Sequence, residues 1–348
     1  EIATAIADAL QVTLAGAGRR GYTPSLAGYE AYLKALHESR TLTSEGLARS
    51  RAWFEQAITL DPQFALAHSR FAFHFAQLAN YGLMPADDAM PLVNAEAAKA
   101  LEIDPALAEG HAMLGLVAGV YQHDWQEAAR RFARAMASDP VPALVRRYYA
   151  LHYLLPLARA TEAVDQCAQS LREDPLDLPG RVRLAQCLDA AGRTGDAIAE
   201  LRRVLELDEQ LWFTHFILGH YHLRDRDLPA ALAHAERAFA LPPWNPSARG
   251  LMAAAVAVGG DPDRAEQLME PLRSGPIYGA PLAFATFHLY RSELDLCADW
   301  VEKGVAERHP ALFVFLRSHA RELLASERWP RLANLLHLPG HTKETGNS

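Results

Sequence analysis

The chain has 348 residues, 42 of them acidic and 34 basic, for a net charge of -8 with no long block of either sign. That balance gives no electrostatic footing for nucleic acid or an anionic membrane. Half of the residues are hydrophobic, yet β-branched residues are sparse and no apolar run approaches the roughly 18 residues of a membrane span. Strand-rich and membrane-spanning folds drop out in favour of a soluble all-α chain.

Ile2, Ile6 and Leu10 form a helical stripe, and the short extended stretch Gln11-Val12-Thr13-Leu14 leads into the glycine-rich segment Gly16 to Gly21. One helix and one strand cannot bury a core of their own. Residues 1–24 therefore read as the remnant or linker of an upstream domain, and the absent initiator Met agrees with that reading. Pro24 and Ser25 supply the start signals of a first helix.

From residue 25 to residue 310 the chain repeats. Ala128, Ala163, Ala197, Ala231, Ala265 and Ala298 each lie in a helix-like segment, and proline or charged turns keep the same beat through Asp61-Pro62, Asp104-Pro105, Asp139-Pro140, Asp174-Pro175, Asp208-Glu209, Pro242-Pro243 and His309-Pro310. A period of about 34 residues built of helices marks a solenoid, in which each unit buries its apolar face against its neighbours. The first repeat departs from the pattern with Ser50 in the alanine position, and the second with Val93. The second also has an insertion of roughly nine residues, by comparison with the repeat period, expected in its connection around Tyr81 to Pro85. Residues 311–348 follow as one or two capping helices and a polar, disordered tail.

The third repeat carries Gly115, Ala128, Phe132, Ala135 and Pro140, and the sixth Gly219, Ala231, Ala238 and Pro243. In these residues the chain resembles the tetratricopeptide repeat (TPR) family. The resemblance implies a right-handed superhelical solenoid of about eight helix-turn-helix repeats with a C-terminal capping helix, and a concave groove that binds a peptide or partner domain. The first-helix positions that line the groove in that family fall here on Arg70, Phe73, Arg147, Tyr148, Arg183, Gln186, Phe213, Phe216, His220 and Arg224. Arginine forks and aromatic rings suit a segment bearing carboxylates. The Lys-Asn carboxylate clamp of chaperone-binding relatives is not reproduced. The opening Glu1 to Leu10 and closing Arg328 to Leu336 are similar to arrays at the C-terminal ends of bacterial signalling proteins, behind an adenylate cyclase, a winged-helix regulator or a serine/threonine kinase. That likeness implies either a docking module or a ligand-responsive sensory module for such a domain.

Other motifs fail in context. Gly16-Ala17-Gly18-Arg19-Arg20-Gly21 spells GxGxxG, but Pro24 interrupts where the helix of a dinucleotide site must open. His215, His220 and His222 lack the carboxylate and spacing of a metal site, and His68, His111 and His215 share one repeat position, which points to packing. Cys167, Cys187 and Cys297 form no CxxC pair and read as buried thiols of a reducing, cytoplasmic setting. With no phosphate loop and no nucleophile elbow, the expectation is a chain with no catalytic residue, cofactor or metal, and no membrane or nucleic-acid partner. The sequence leaves its oligomeric state open.

Overall fold

The six periodic alanines are fully buried, each on the second helix of a pair. A side chain reduced to a methyl group lets two helix axes approach closely, so the spacing of these alanines becomes the spacing of helix pairs. A computed structural model describes residues 22–340. The expectations for the N-terminal segment, its glycine motif included, and for residues 341–348 fall outside them. Eight helix-turn-helix pairs follow in order: α1 (Leu26–Ser39) with α2 (Ser44–Leu60), α3 (Ala65–Asn80) with α4 (Ala86–Ile103), α5 (Ala108–Leu116) with α6 (Trp125–Met136), and α7 (Ala143–Tyr149) with α8 (Ala160–Glu173). Next come α9 (Leu178–Ala190) with α10 (Thr194–Leu207), α11 (Trp212–Arg224) with α12 (Leu228–Ala240), α13 (Pro246–Val258) with α14 (Pro262–Met269), and α15 (Ala280–Tyr290) with α16 (Leu294–Ala306). The described residues contain no strand. The architecture is an all-α TPR solenoid.

Each pair turns the corner in the same way. One residue in every connection takes the left-handed conformation: Leu42, Gly82, His123, Ala158, Gly192, Arg226, Gly260 and Ser292. Glycine suits that conformation and other residues resist it, so at five of these turns packing overrides local preference. The second helix then starts on a side-chain cap in several pairs, with Thr43 accepting from the Gly46 amide, Asp124 from Glu127, Asp227 from Ala230 and Asp261 from Arg264. A second device recurs between repeats. The side chains of His111, Arg181, His215 and Arg249 each reach back six residues to a turn carbonyl, at Pro105, Pro175, Glu209 and Pro243. Ser50, the departure from alanine, fits because its buried hydroxyl donates to the Ala35 carbonyl at 2.9 Å.

The expected insertion in the second repeat is not a long loop. Five residues join α3 to α4, and the extra length lies in the helices themselves, of 16 and 18 residues. The lengthened helices bury Phe71, Phe75, Ala89, Met90 and Val93; an equally long loop would bury much less apolar surface.

Beyond α16 the chain turns inward. α17 (Leu312–Val314) runs into a π-helical turn, Phe315–His319, followed by α18 (Arg321–Leu324) and α19 (Trp329–Leu335). This segment packs on Ala298 and Val301 of the last repeat and also reaches the third. The Trp125 indole donates to the Leu336 carbonyl at 3.0 Å, and its ring meets Phe313 edge-on at 5.3 Å. The first four repeats, the eighth and the C-terminal segment consequently share one hydrophobic core.

Candidate functional site: the interior of a closed superhelix

The first two repeats touch the sixth, seventh and eighth. The Trp212 indole donates to the Leu42 carbonyl at 3.3 Å, the Asn245 amide to Tyr81 at 3.0 Å, and the Tyr278 hydroxyl to Ala79 at 3.2 Å. The Tyr81 ring meets Trp212 and Phe213 edge-on at 5.8 and 5.9 Å. Partners about 160 to 200 residues apart in sequence thus close the solenoid on itself. The concave face becomes an interior.

The C-terminal segment fills one side of that interior. The Arg317 guanidinium donates to the Pro156 carbonyl at 2.7 and 3.2 Å, and the Ser318 hydroxyl to Gln186 at 3.3 Å. The His319 ring stacks on His220 at 4.0 Å. At the centre of this contact is Asp189, a fully buried carboxylate. It accepts two bonds from Arg224 at 2.9 Å and one from Thr194 at 2.7 Å, and Arg321 lies 3.1 Å away. Four donors from three regions make a buried charge tolerable. Removing Asp189 would leave two arginines facing each other.

The ten residues expected to line a groove fall into four different situations. His220 and Arg224 are consumed: His220 pairs with the Tyr290 hydroxyl at 2.9 Å beneath His319, and Arg224 holds Asp189 and the Ser318 carbonyl. Gln186, Phe213, Phe216 and Tyr148 are walls of the enclosed space, Tyr148 packing against Phe73 at 5.4 Å and His152 at 4.8 Å. Arg70, Phe73 and Arg147 line a cleft of about 200 Å³ with Leu36, Leu42 and Arg40 at the edge of the first repeat. Arg70 lies 3.9 Å from Glu109, and Arg147 pairs with Asp177. Of the ten, Arg183 alone lines both inner spaces.

Burial and charge set the protonation of the interior. Desolvation, with the Arg183 and Arg147 charges adding to it, pushes the His152 imidazole down to about 3. Desolvation likewise brings His319 to about 3, helped by Arg224 and Arg321. Both rings are neutral at pH 7. The thiols of Cys167 and Cys187 lie 3.8 Å apart and are buried; hydrogen bonding to Cys167 and then desolvation raise Cys187 well above the usual thiol range. That environment describes inert sulfur. His215 meets His234 at 2.9 Å between ring nitrogens, and among the described residues no three metal-ligating side chains gather to hold an ion. Nor is any described helix long and apolar enough to cross a membrane.

Asp189, Asn245, Tyr290, Arg317 and Arg321 escaped the sequence reading. An isolated acid such as Asp189 in the segment Leu184 to Ala191, apolar apart from Gln186, is the one signal that could have found the site. The arginines of the last helices carry no period to mark them.

No protein-family model matches the chain, and no characterised protein matches it in sequence. Solved structures do resemble it. Pseudomonas aeruginosa PilF is 18% identical with a TM-score of 0.45, covering 65% of this chain and 99% of PilF. Yeast Tom70 is 13% identical at a TM-score of 0.48, covering 96% of this chain and 75% of its own. YrrB, a TPR protein described as having an unusual peptide-binding site, is 19% identical at 0.35, covering 55% and 92%. The likeness is one of fold. The repeats have the TPR form.

Proposed function

We propose that this chain is a protein-interaction scaffold without catalytic residues, belonging to a larger bacterial signalling or regulatory protein. The observation that carries the reading is the cleft at the mouth of the closed superhelix. Phe73, Leu36 and Leu42 offer apolar wall there, and the guanidinium groups of Arg40, Arg70 and Arg147 lie beside it, each now on an acid of this chain, Asp174, Glu109 or Asp177, that a partner carboxylate would replace. An extended segment with a hydrophobic side chain beside a carboxylate matches both. Nucleic acid is not part of the proposal, since acidic residues outnumber basic ones. The test is selection from a fixed-length peptide library on the full chain and on its Phe73→Ala and Arg70→Glu variants. Enrichment of acidic, apolar peptides that both variants lose supports the cleft. Identical enrichment on all three chains contradicts it.

A second reading is favoured by a separate observation: much of the predicted groove is enclosed, so an extended partner cannot lie along it. A small molecule inside could instead set the curvature of the array and thereby control an attached output domain. Binding only the closed state would stabilise it by mass action. The reading frame preceding Glu1 tests the shared context; a kinase, cyclase or DNA-binding domain there supports it, and an unrelated domain contradicts it.

A further inference from the structure

The C-terminal segment is held in two different ways on its two sides. Leu312, Phe313, Leu316, Leu323, Leu332 and Leu336 are buried in the core that the first four repeats share with the eighth, whereas the core around α8 to α11 takes only Val314 from the segment among the described residues. Across that second boundary the contacts are polar. Arg317 donates to the Pro156 carbonyl, Ser318 to the Gln186 carbonyl, and Arg321 to the carbonyl and carboxylate of Asp189, while Arg224 donates in return to the Ser318 carbonyl.

The charged groups on the two sides stay solvated or paired when parted. Asp189 keeps both Arg224 bonds and the Thr194 bond when Arg321 withdraws, and three donors still make a buried carboxylate tolerable. Arg321 is already 40% exposed. Backbone bonds run within the segment, from Ala320 to Phe315 and from Leu323 to Ala320, both at 3.1 Å. Solvent also reaches the boundary. An open cleft of about 250 Å³ separates Leu223, Arg226 and Tyr290 on the repeats from His319, Arg321 and Glu322 on the segment, and a smaller gap of about 50 Å³ lies between Phe216 and Phe315. Protein interiors are close-packed, so a boundary with few apolar contacts and open gaps is where local opening begins.

We propose that this boundary is a clasp. The segment lifts from α9 and α11 while the repeats stay folded, and it uncovers Gln186, Asp189, His220 and Arg224 for a partner segment that carries an arginine beside a ring. The present occupant defines that chemistry: a guanidinium on Asp189, a carbonyl for Arg224, and a ring on His220, where His319 stacks at 4.0 Å. Asp189 repels an acidic partner, so the face selects the opposite charge to the cleft of the first repeat. The inference goes beyond both functional readings, since it needs neither that cleft nor a small molecule in the interior.

Thiol labelling of the full chain tests it. Ser318 is buried and its hydroxyl bonds across the boundary, so Ser318→Cys places a thiol that only an open clasp exposes. The native Cys167, Cys187 and Cys297, all buried in repeats, are the internal reference. Under native conditions the introduced thiol should react with a maleimide at least about a hundredfold faster than the native three. Adding Arg321→Gln should speed it about tenfold more. His319→Cys reads the same boundary where Ser318→Cys lowers the melting temperature. Equal rates for all four thiols mean that the segment leaves only on global unfolding, and they overturn the clasp. A free peptide of residues 315–324 at about 1 mM should compete for the uncovered face and raise the rate again, and the same peptide with Glu for Arg321 should not. No difference between the two peptides overturns the choice of partner, as does a rate that rises with protein concentration, which assigns the face to a second copy of this chain.

Discussion

The interface inside a repeat and the seam where the superhelix closes are built by opposite rules. Inside a repeat, Ala197 or Ala231 recurs at a fixed period and the contact is small, apolar and redundant. At the seam, Trp212, Asn245, Tyr278, Arg317 and Asp189 each make a bond that occurs once. Redundant contacts tolerate change and unique ones do not. The stability of the closed form is therefore concentrated in a few polar residues, although most of its buried area lies between repeats.

The sharpest way to break the comparison is Asp189→Ala. It leaves the partly exposed Arg224 and Arg321 without their shared carboxylate and should cost about 2 to 3 kcal/mol, read as a loss of urea midpoint. Ala231→Leu attacks the repeat instead. It should cost about 1 to 3 kcal/mol by overpacking the crossing of α11 and α12, while the exchange rates of residues 310–338 stay as they were. A seam that loosens equally in both variants would erase the distinction.

Acid should sharpen it. His74 is held down to about 4, and His152, His309 and His319 to about 3, with desolvation the leading cause for all four. In the unfolded chain these rings titrate near 6.5. Above that pH both states are neutral and stability does not change; below it the unfolded chain takes up protons that the folded chain refuses. Stability is then lost progressively between about 6.5 and 3, by about 2 kcal/mol per histidine at pH 5. Chemical denaturation across pH 7.5 to about 4.5 measures the loss, and His152→Gln should remove one histidine's share. The smallest effect belongs to the turns. Ala158→Gly relieves a left-handed alanine and should stabilise by up to about 1 kcal/mol, visible as a small rise in melting temperature.

The repeats were legible because a period advertises itself: alanine at the crossing and proline at the turn recur where the same packing recurs. The left-handed turn residues were not, since Leu42, His123 and Arg226 obey their neighbours instead of their own preferences. The candidate site was half legible. Family positions brought the ten inward-facing residues into view, but facing inward is a property of the repeat, whereas being enclosed depends on superhelical curvature. No single repeat encodes that curvature. Arg224 and Arg183 look alike in sequence, and only the fold separates the arginine bound to Asp189 from the one that stacks on Phe213 and pairs with no acid among the described residues.

Small-angle scattering of the monomeric chain in solution tests the closure most directly. A closed superhelix should give a radius of gyration near the compact-domain value of about 20 Å, with a distance distribution that falls off symmetrically. A distinctly larger radius, with the long tail of an open solenoid, would contradict the account and return the concave face to solvent.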